Sequence, residues 1–283
     1  MKITIRALCG RDTDAALGLP PNTLVAPDFD ATSPEFDRLL KVSKTRSPCF
    51  FNSSMEFTPA ELAQSRFFQL DCRGRLLKES DKDYELNRAR LESLPFIAAG
   101  PRAEMRFLDR LVLRGPSVKP NEVACAGEWM REFVVSPEVG RIFESEGLEG
   151  FSLRKVFDSR MKRESDSCFQ LYTDQIMPRA LIDMTTPFRP DLDSHRQLAC
   201  LSYDFKGSPP ESDFYRTAEP WGGNTQPVWI VSSRVRECYQ RRKLRRWAFR
   251  PVLEPGSELH AGYMRMWEDL LARVAASHPH HHF

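Results

Sequence analysis

Short apolar runs alternate with charged residues along most of the chain, and their spacing marks out the elements. Ile3, Ile5 and Ala7 alternate with polar neighbours, which predicts an opening strand. Ser33-Pro34 precedes Phe36, Leu39 and Leu40, and Thr58-Pro59-Ala60-Glu61 has the form of a capping box, so each begins a helix. Residues 83–94 read as helix, with Tyr84, Leu91 and Leu94 on one side. Met105, Phe107, Leu111 and Leu113 alternate, which predicts a strand over 104–114. Leu259, Tyr263, Met266, Leu270 and Val274 recur at helical spacing over 257–276. Residues 206–227, rich in Gly, Pro and Ser, read as a long loop or hairpin arm.

One stretch echoes another. Val134-Val135-Ser136-Pro137-Glu138-Val139 returns without a gap as Ile230-Val231-Ser232-Ser233-Arg234-Val235. Ile142-Phe143, Leu148, Phe151, Leu153 and Val156 are answered by Cys238-Tyr239, Leu244, Trp247, Phe249 and Val252, while Phe68-Gln69-Leu70 returns as Phe169-Gln170-Leu171. Each closing segment reads as strand, helix, then strand, with Ser136 a good cap for the first helix and Pro137 suited to its first position. Val139, Ile142 and Phe143 share one helical face, as do Val235, Cys238 and Tyr239. The expectation is an α+β fold with a mixed, largely antiparallel sheet, packed helices and an internally duplicated unit. Its parts would be an N-terminal cap region (1–65), a first copy (66–157), a second copy (167–254), a C-terminal helix (255–276) and a flexible His-rich tail (277–283). Each copy would open with its FQL strand and close with the strand–helix–strand segment that follows.

Charge adds a local feature rather than a global one. Lysine and arginine number 41 against 39 acidic residues, a balance that speaks against a surface tuned throughout for nucleic acid. Residues 1–8 lack the apolar core of a signal peptide, and no run approaches the roughly 18 apolar residues of a membrane span, so the chain is expected in the cytoplasm, away from membranes. The basic stretch 234–250 is the exception: Arg234, Arg236, Arg241, Arg242, Lys243, Arg245, Arg246 and Arg250 are opposed there only by Glu237. The matching stretch of the first copy carries Glu138, Glu144, Glu146 and Glu149 against Arg141 and Arg154. Opposite charge on a shared apolar scaffold fits a surface specialised for a partner, with Arg241, Arg242, Arg245 and Arg246 as the candidate binding residues; a solvated helix face is the plainer reading.

Little else carries chemistry. The seven cysteines form no C-x-x-C pair and read as buried thiols, so neither a disulfide scaffold nor a zinc site is expected. Asp191, Asp193 and His195 make a short D-x-D-x-H cluster in a Pro-flanked loop, too little by itself for a metal site. Glu258 with His260 is equally sparse, and the histidines at 278 and 280–282 fit a frayed tail. Trp221-Gly222-Gly223-Asn224 lacks phosphate-loop spacing and reads as a turn. No nucleophile motif is present, and no catalytic residue or cofactor is expected. A hydrolase or transferase would need a pocket joining distant residues such as Asp183, His195 and Cys200.

The pattern Val-Ser, then Leu-x-x-(Phe/Trp)-x-(Phe/Leu)-x-x-Val is carried by Val231, Ser232, Leu244, Trp247, Phe249 and Val252. It follows Asp213-Phe214-Tyr215-Arg216-Thr217, and the first copy carries it from Val135 to Val156. It resembles a myxobacterial immunity family of polymorphic toxin systems and, more distantly, the double-CxxCG group, from which the isolated cysteines here depart. The resemblance implies a non-enzymatic antidote that binds and neutralises a cognate protein toxin. A module binding nucleic acid or a phosphate ligand through the same basic stretch is the alternative.

Overall fold

A computed structural model of the chain describes residues 1–8, 28–43, 50–73, 76–77, 80–93, 98–100, 103–105, 108–126, 132–181, 200–206, 210–220 and 227–277. The described residues form an α+β structure. They divide between two compact units, one of residues 1–64, 186–199 and 255–283, the other of 65–185 and 200–254.

In the first unit, β1 (Lys2–Leu8) lies between β2 (Asp28–Asp30) and β3 (Phe50–Glu56), antiparallel to both. Helix α1 (Pro34–Ser43) begins where the Phe36 N–H donates to the Ser33 hydroxyl, and it buries Phe36, Leu39 and Leu40. The capping box at Thr58 and Glu61 starts the short helix α2 (Pro59–Ala63). The C-terminal helix, Glu258–Ser277, is numbered α6 here and buries Leu259, Tyr263, Trp267 and Leu270. Its Arg273 lies 2.7 Å from Asp37 and over the ring of Phe36, which fastens α6 to α1.

The second unit holds the echoed segments. Its remaining elements are β4 (Phe67–Cys72), β5 (Leu76–Leu77), α3 (Asp81–Ser93), β6 (Ala98–Gly100), β7 (Ala103–Met105), β8 (Val112–Leu113), β9 (Val123–Ala126), β10 (Glu132–Val135), α4 (Pro137–Ser145), β11 (Ser152–Asp158), β12 (Arg163–Tyr172), β13 (Phe214–Pro220), β14 (Pro227–Ser232), α5 (Ser233–Arg241) and β15 (Trp247–Pro251). Six strands form one sheet in the order β5-β9-β10-β12-β11-β8, and four form another in the order β13-β14-β4-β15. Most neighbours are antiparallel; β11 with β8 and β5 with β9 are parallel.

The two ladders share one register. Val134 faces Gln170, Val135 faces Phe169, Leu153 faces Leu171 and Arg154 faces Gln170. In the other sheet Ile230 faces Gln69, Val231 faces Phe68, Phe249 faces Leu70 and Arg250 faces Gln69. These are the positions the sequence echo aligned, but the partnership is crossed. The FQL strand at 68–70 lies between the closing strands of the later segment, and the one at 169–171 between those of the earlier segment. The expected grouping of each FQL strand with the segment that follows it is therefore corrected.

One smaller expectation also changes, and another, the hairpin arm within 206–227, is met. Residues 104–114 are not one strand: β7 and β8 are separated, and Leu108 and Leu111 instead bond through their backbone to the buried amide of Gln170. Within 206–227, Phe214–Pro220 forms an antiparallel hairpin arm with β14. Helix α3 runs Asp81–Ser93, and its buried side chains are polar ones: Asp83 closes onto Ser80 at its start, and Asn87 clasps both backbone groups of Val112.

Candidate partner-binding site

The site is built by the turn that follows α5. Ser232 precedes the helix, but its hydroxyl donates to the buried carboxylate of Asp213, which also accepts from Arg234 and from the Glu149 N–H at 2.9 Å. In the earlier segment, by contrast, the Ser136 hydroxyl accepts from the Val139 N–H and caps α4. Both helices end alike. Leu148 N–H donates to Phe143 O at 3.1 Å, and Leu244 N–H to Tyr239 O at 3.0 Å.

The backbone angles after the helices also match, with different residues. Gly147 (φ 60°) and Gly150 (φ 83°) take left-handed conformations in the earlier turn; Lys243 (φ 53°) and Arg246 (φ 88°) take them in the later one. A side chain disfavours this region, so two long cations stand where glycine would be easier. At Gly150 a side chain has no room, because a Cβ would lie 2.7 Å from that of Ser212. At Arg246 the side chain has space, and it borders an open cleft.

That cleft encloses about 420 Å³ and is lined by Arg73, Tyr239, Leu244, Arg245, Arg246 and Trp247. Its aromatic wall is rigid: the Tyr239 and Trp247 rings stack at 5.9 Å, and the Tyr239 hydroxyl accepts from the Trp247 N–H and donates to its carbonyl. Burial pushes the Tyr239 phenol above its ordinary range, so it stays neutral and keeps both bonds. Two backbone bonds hold the rim, Arg73 N–H to Arg246 O at 2.6 Å and Val123 N–H to Arg245 O at 3.1 Å.

The four arginines expected to bind a partner do not act as one group. Arg241 and Arg242 both pair with Glu146, Arg242 at 2.7 Å, and these bonds hold the Glu146 carboxyl below the usual carboxylate range. The opposite charges of the two segments, read from sequence as surfaces for a partner, thus meet one another in part. Arg241 keeps 58% of its side chain exposed, so this is a solvent-facing pair rather than a buried one. Arg246 lies 3.5 Å from the buried carboxylate of Glu122. Arg245 is exposed, and among the described residues no carboxylate pairs with it or with Arg73. Arg73 was not among the sequence candidates; it lies at the end of β4, far from 241–246 in the chain.

Beneath the cleft the unit is closed by aromatic packing. The Phe133 ring lies 5.8 Å from that of Trp229 and 5.6 Å from that of Trp247, joining the two sheets. A buried ion pair lies nearby. Arg216 reaches both oxygens of Glu132 at 3.1 and 3.0 Å, with each side chain 1% exposed, and its guanidinium stacks 3.9 Å over Trp229. Gln170 donates to Glu132 as well. Burial pushes the Glu132 carboxyl up, against the pull of Arg216 and Gln170.

The other sequence candidates fall elsewhere. Asp183, Asp191, Asp193, His195, residues 221–224 and the histidines at 278 and 280–282 lie outside the described residues. Cys200 is buried, and its thiol is pushed up to about 12 by desolvation, a poor state for a nucleophile. Cys125, Cys168 and Cys238 are buried too and Cys72 half-buried, while Cys9 and Cys49 lie outside the description. Glu258 and His260 lie in the first turn of α6, where the His260 N–H donates to Ser257. Among the described residues no group of three His, Cys, Asp or Glu is placed to hold a metal ion, and no helix is long and apolar enough to cross a membrane. No protein-family model matches the chain, and no curated protein matches it significantly.

Proposed function

We propose that this chain is a non-catalytic antidote that acts in the cytoplasm, binding an acidic face of a cognate protein toxin through the arginine cleft. The observation that carries the reading is the pair of cations held in left-handed backbone at Lys243 and Arg246, where the equivalent turn has glycine. Strain of this kind persists where the side chain is needed. Arg73 and Arg245 add positive charge, and Tyr239 and Trp247 supply a stiff aromatic wall of the sort that anchors tight protein contacts. The resemblance of the 213–252 pattern to immunity proteins supports the same reading, as does the matched register of the two ladders, which we take to descend from one duplicated unit.

The test is recovery of the tagged chain from its own cells, followed by co-expression with the recovered partner. A stoichiometric acidic protein whose toxicity the chain relieves supports the reading, provided that Arg73→Glu with Arg245→Glu weakens binding at least tenfold while the fold persists. Those two positions are cleaner than Arg242, whose reversal would also break the pair with Glu146. A partner that binds the double variant unchanged removes the cleft from the mechanism. Recovery of nucleic acid, with affinity falling steeply as salt rises, would replace the antidote by a phosphate-binding module.

A further inference from the structure

Parity along the strands brings two thiols together. Cys72 faces Trp247 across the β4–β15 ladder, and Cys125 faces Phe133 across β9–β10, so each cysteine shares a sheet face with its aromatic partner. The Phe133 and Trp247 rings touch at 5.6 Å, which puts both thiols in the layer between the sheets. There β4 packs on β9, which sets the Cys72 and Cys125 side chains toward one another. Cys72 is half-buried at the rim, while Cys125 is buried beneath it. Exposure divides their roles, since Cys72 is the thiol an oxidant can reach. The neighbouring Cys125 and Arg246 hold the Cys72 thiol below its ordinary value, while Cys72 and burial hold Cys125 above its own.

From this placement we propose that Cys72 and Cys125 form a reversible redox site, with Cys72 the reacting thiol and Cys125 the resolving one. The oxidant is a hydroperoxide. The Cys72 thiolate attacks the near oxygen, an S–O bond forms as the O–O bond breaks, and the released alkoxide or hydroxide takes a proton. The Cys125 sulfur then attacks the Cys72 sulfenic acid, the S–S bond forms, and water leaves with the Cys125 proton. Two thiols are oxidised by two electrons and one peroxide is reduced to alcohol and water. The bond ties β4 to β9 directly beneath the rim formed by Arg73 and Arg246. The inference does not depend on the antidote reading, because it concerns thiols that the proposed binding does not use.

The experiment exposes the full-length folded chain to hydrogen peroxide, alkylates the remaining thiols, and maps linked peptides by mass spectrometry without reduction. A Cys72–Cys125 linkage that forms first and is reversed by dithiothreitol is the expected result. In Cys125→Ala, trapping of the Cys72 sulfenic acid by dimedone should rise about fivefold, since nothing resolves it. If Cys125→Ala fails to fold, Cys72→Ser decides, because the linkage to Cys125 must then vanish. Both thiols remaining alkylatable at peroxide levels that oxidise other cysteines, or Cys125 linking equally well to another cysteine, would overturn the proposal.

Discussion

The turn residues show how one backbone can serve two chemistries. Gly147 and Gly150 suit their angles at no steric cost, while Lys243 and Arg246 hold the same angles against it. Lys243→Gly should therefore stabilise the protein, by about 0.5–1 kcal/mol, read as a higher urea midpoint with unchanged slope. The gain should come with weaker binding of an acidic partner, as expected where strain is kept for function. Gly150→Ala should do the opposite and cost about 2 kcal/mol or more, because positive φ and the 2.7 Å approach to Ser212 add together. The sequence held a usable clue to this strain. The echo set Lys243 against Gly147 and Arg246 against Gly150, and a residue aligned with a turn glycine inherits its angles. Arg73, by contrast, could not have been found: it reaches the cleft only because β4 runs beside β15, and no local pattern encodes that pairing.

At the scale of elements, apolar periodicity found the strand–helix–strand segments, since the period of a face is a local property, and residue type found their one serine cap, at Ser136. It missed what polar side chains do between elements. Gln170 looked like an ordinary strand residue, yet its amide serves Leu108, Leu111 and Glu132 and takes the place of a strand where alternation suggested one. Glu132 went unremarked and Arg216 was noted only within the 213–217 pattern, because a buried ion pair leaves no mark on hydrophobic spacing. Their energetics are distinctive. Removing either partner strands a charge in a dry layer, so Glu132→Ala and Arg216→Ala should each cost about 3–5 kcal/mol. The double variant should cost clearly less than the sum, since no lone charge remains buried. Denaturant titration of the four proteins measures this; simple additivity would mean that water reaches the pair in the single variants.

For the whole molecule, the mixed, mainly antiparallel α+β architecture was legible, and so was the echo that puts equivalent positions in one register. The crossing of the two FQL strands was not, because Phe68-Gln69-Leu70 and Phe169-Gln170-Leu171 read alike and a local pattern does not name a strand's neighbours. It makes a prediction. Residues 1–185 and 200–283 each hold part of the four-stranded sheet, with β4 in one and β13, β14 and β15 in the other. Expressed together as separate chains they should assemble into one soluble complex, and 200–283 alone, left with three strands of a divided sheet, should not unfold cooperatively. A fragment 200–283 that unfolds cooperatively by itself would mean that β13, β14 and β15 do not need β4. The same crossing governs how the protein leaves the ribosome. β12 follows β10 and β11, so their ladder can close early, but β4 emerges before any of its neighbours. At about 5–20 residues per second, Phe67–Cys72 waits on the order of ten seconds or more for Trp247–Pro251. Throughout that interval a strand whose Phe67, Phe68, Gln69 and Leu70 are all buried in the finished protein is open to any other edge, including that of a neighbouring nascent chain.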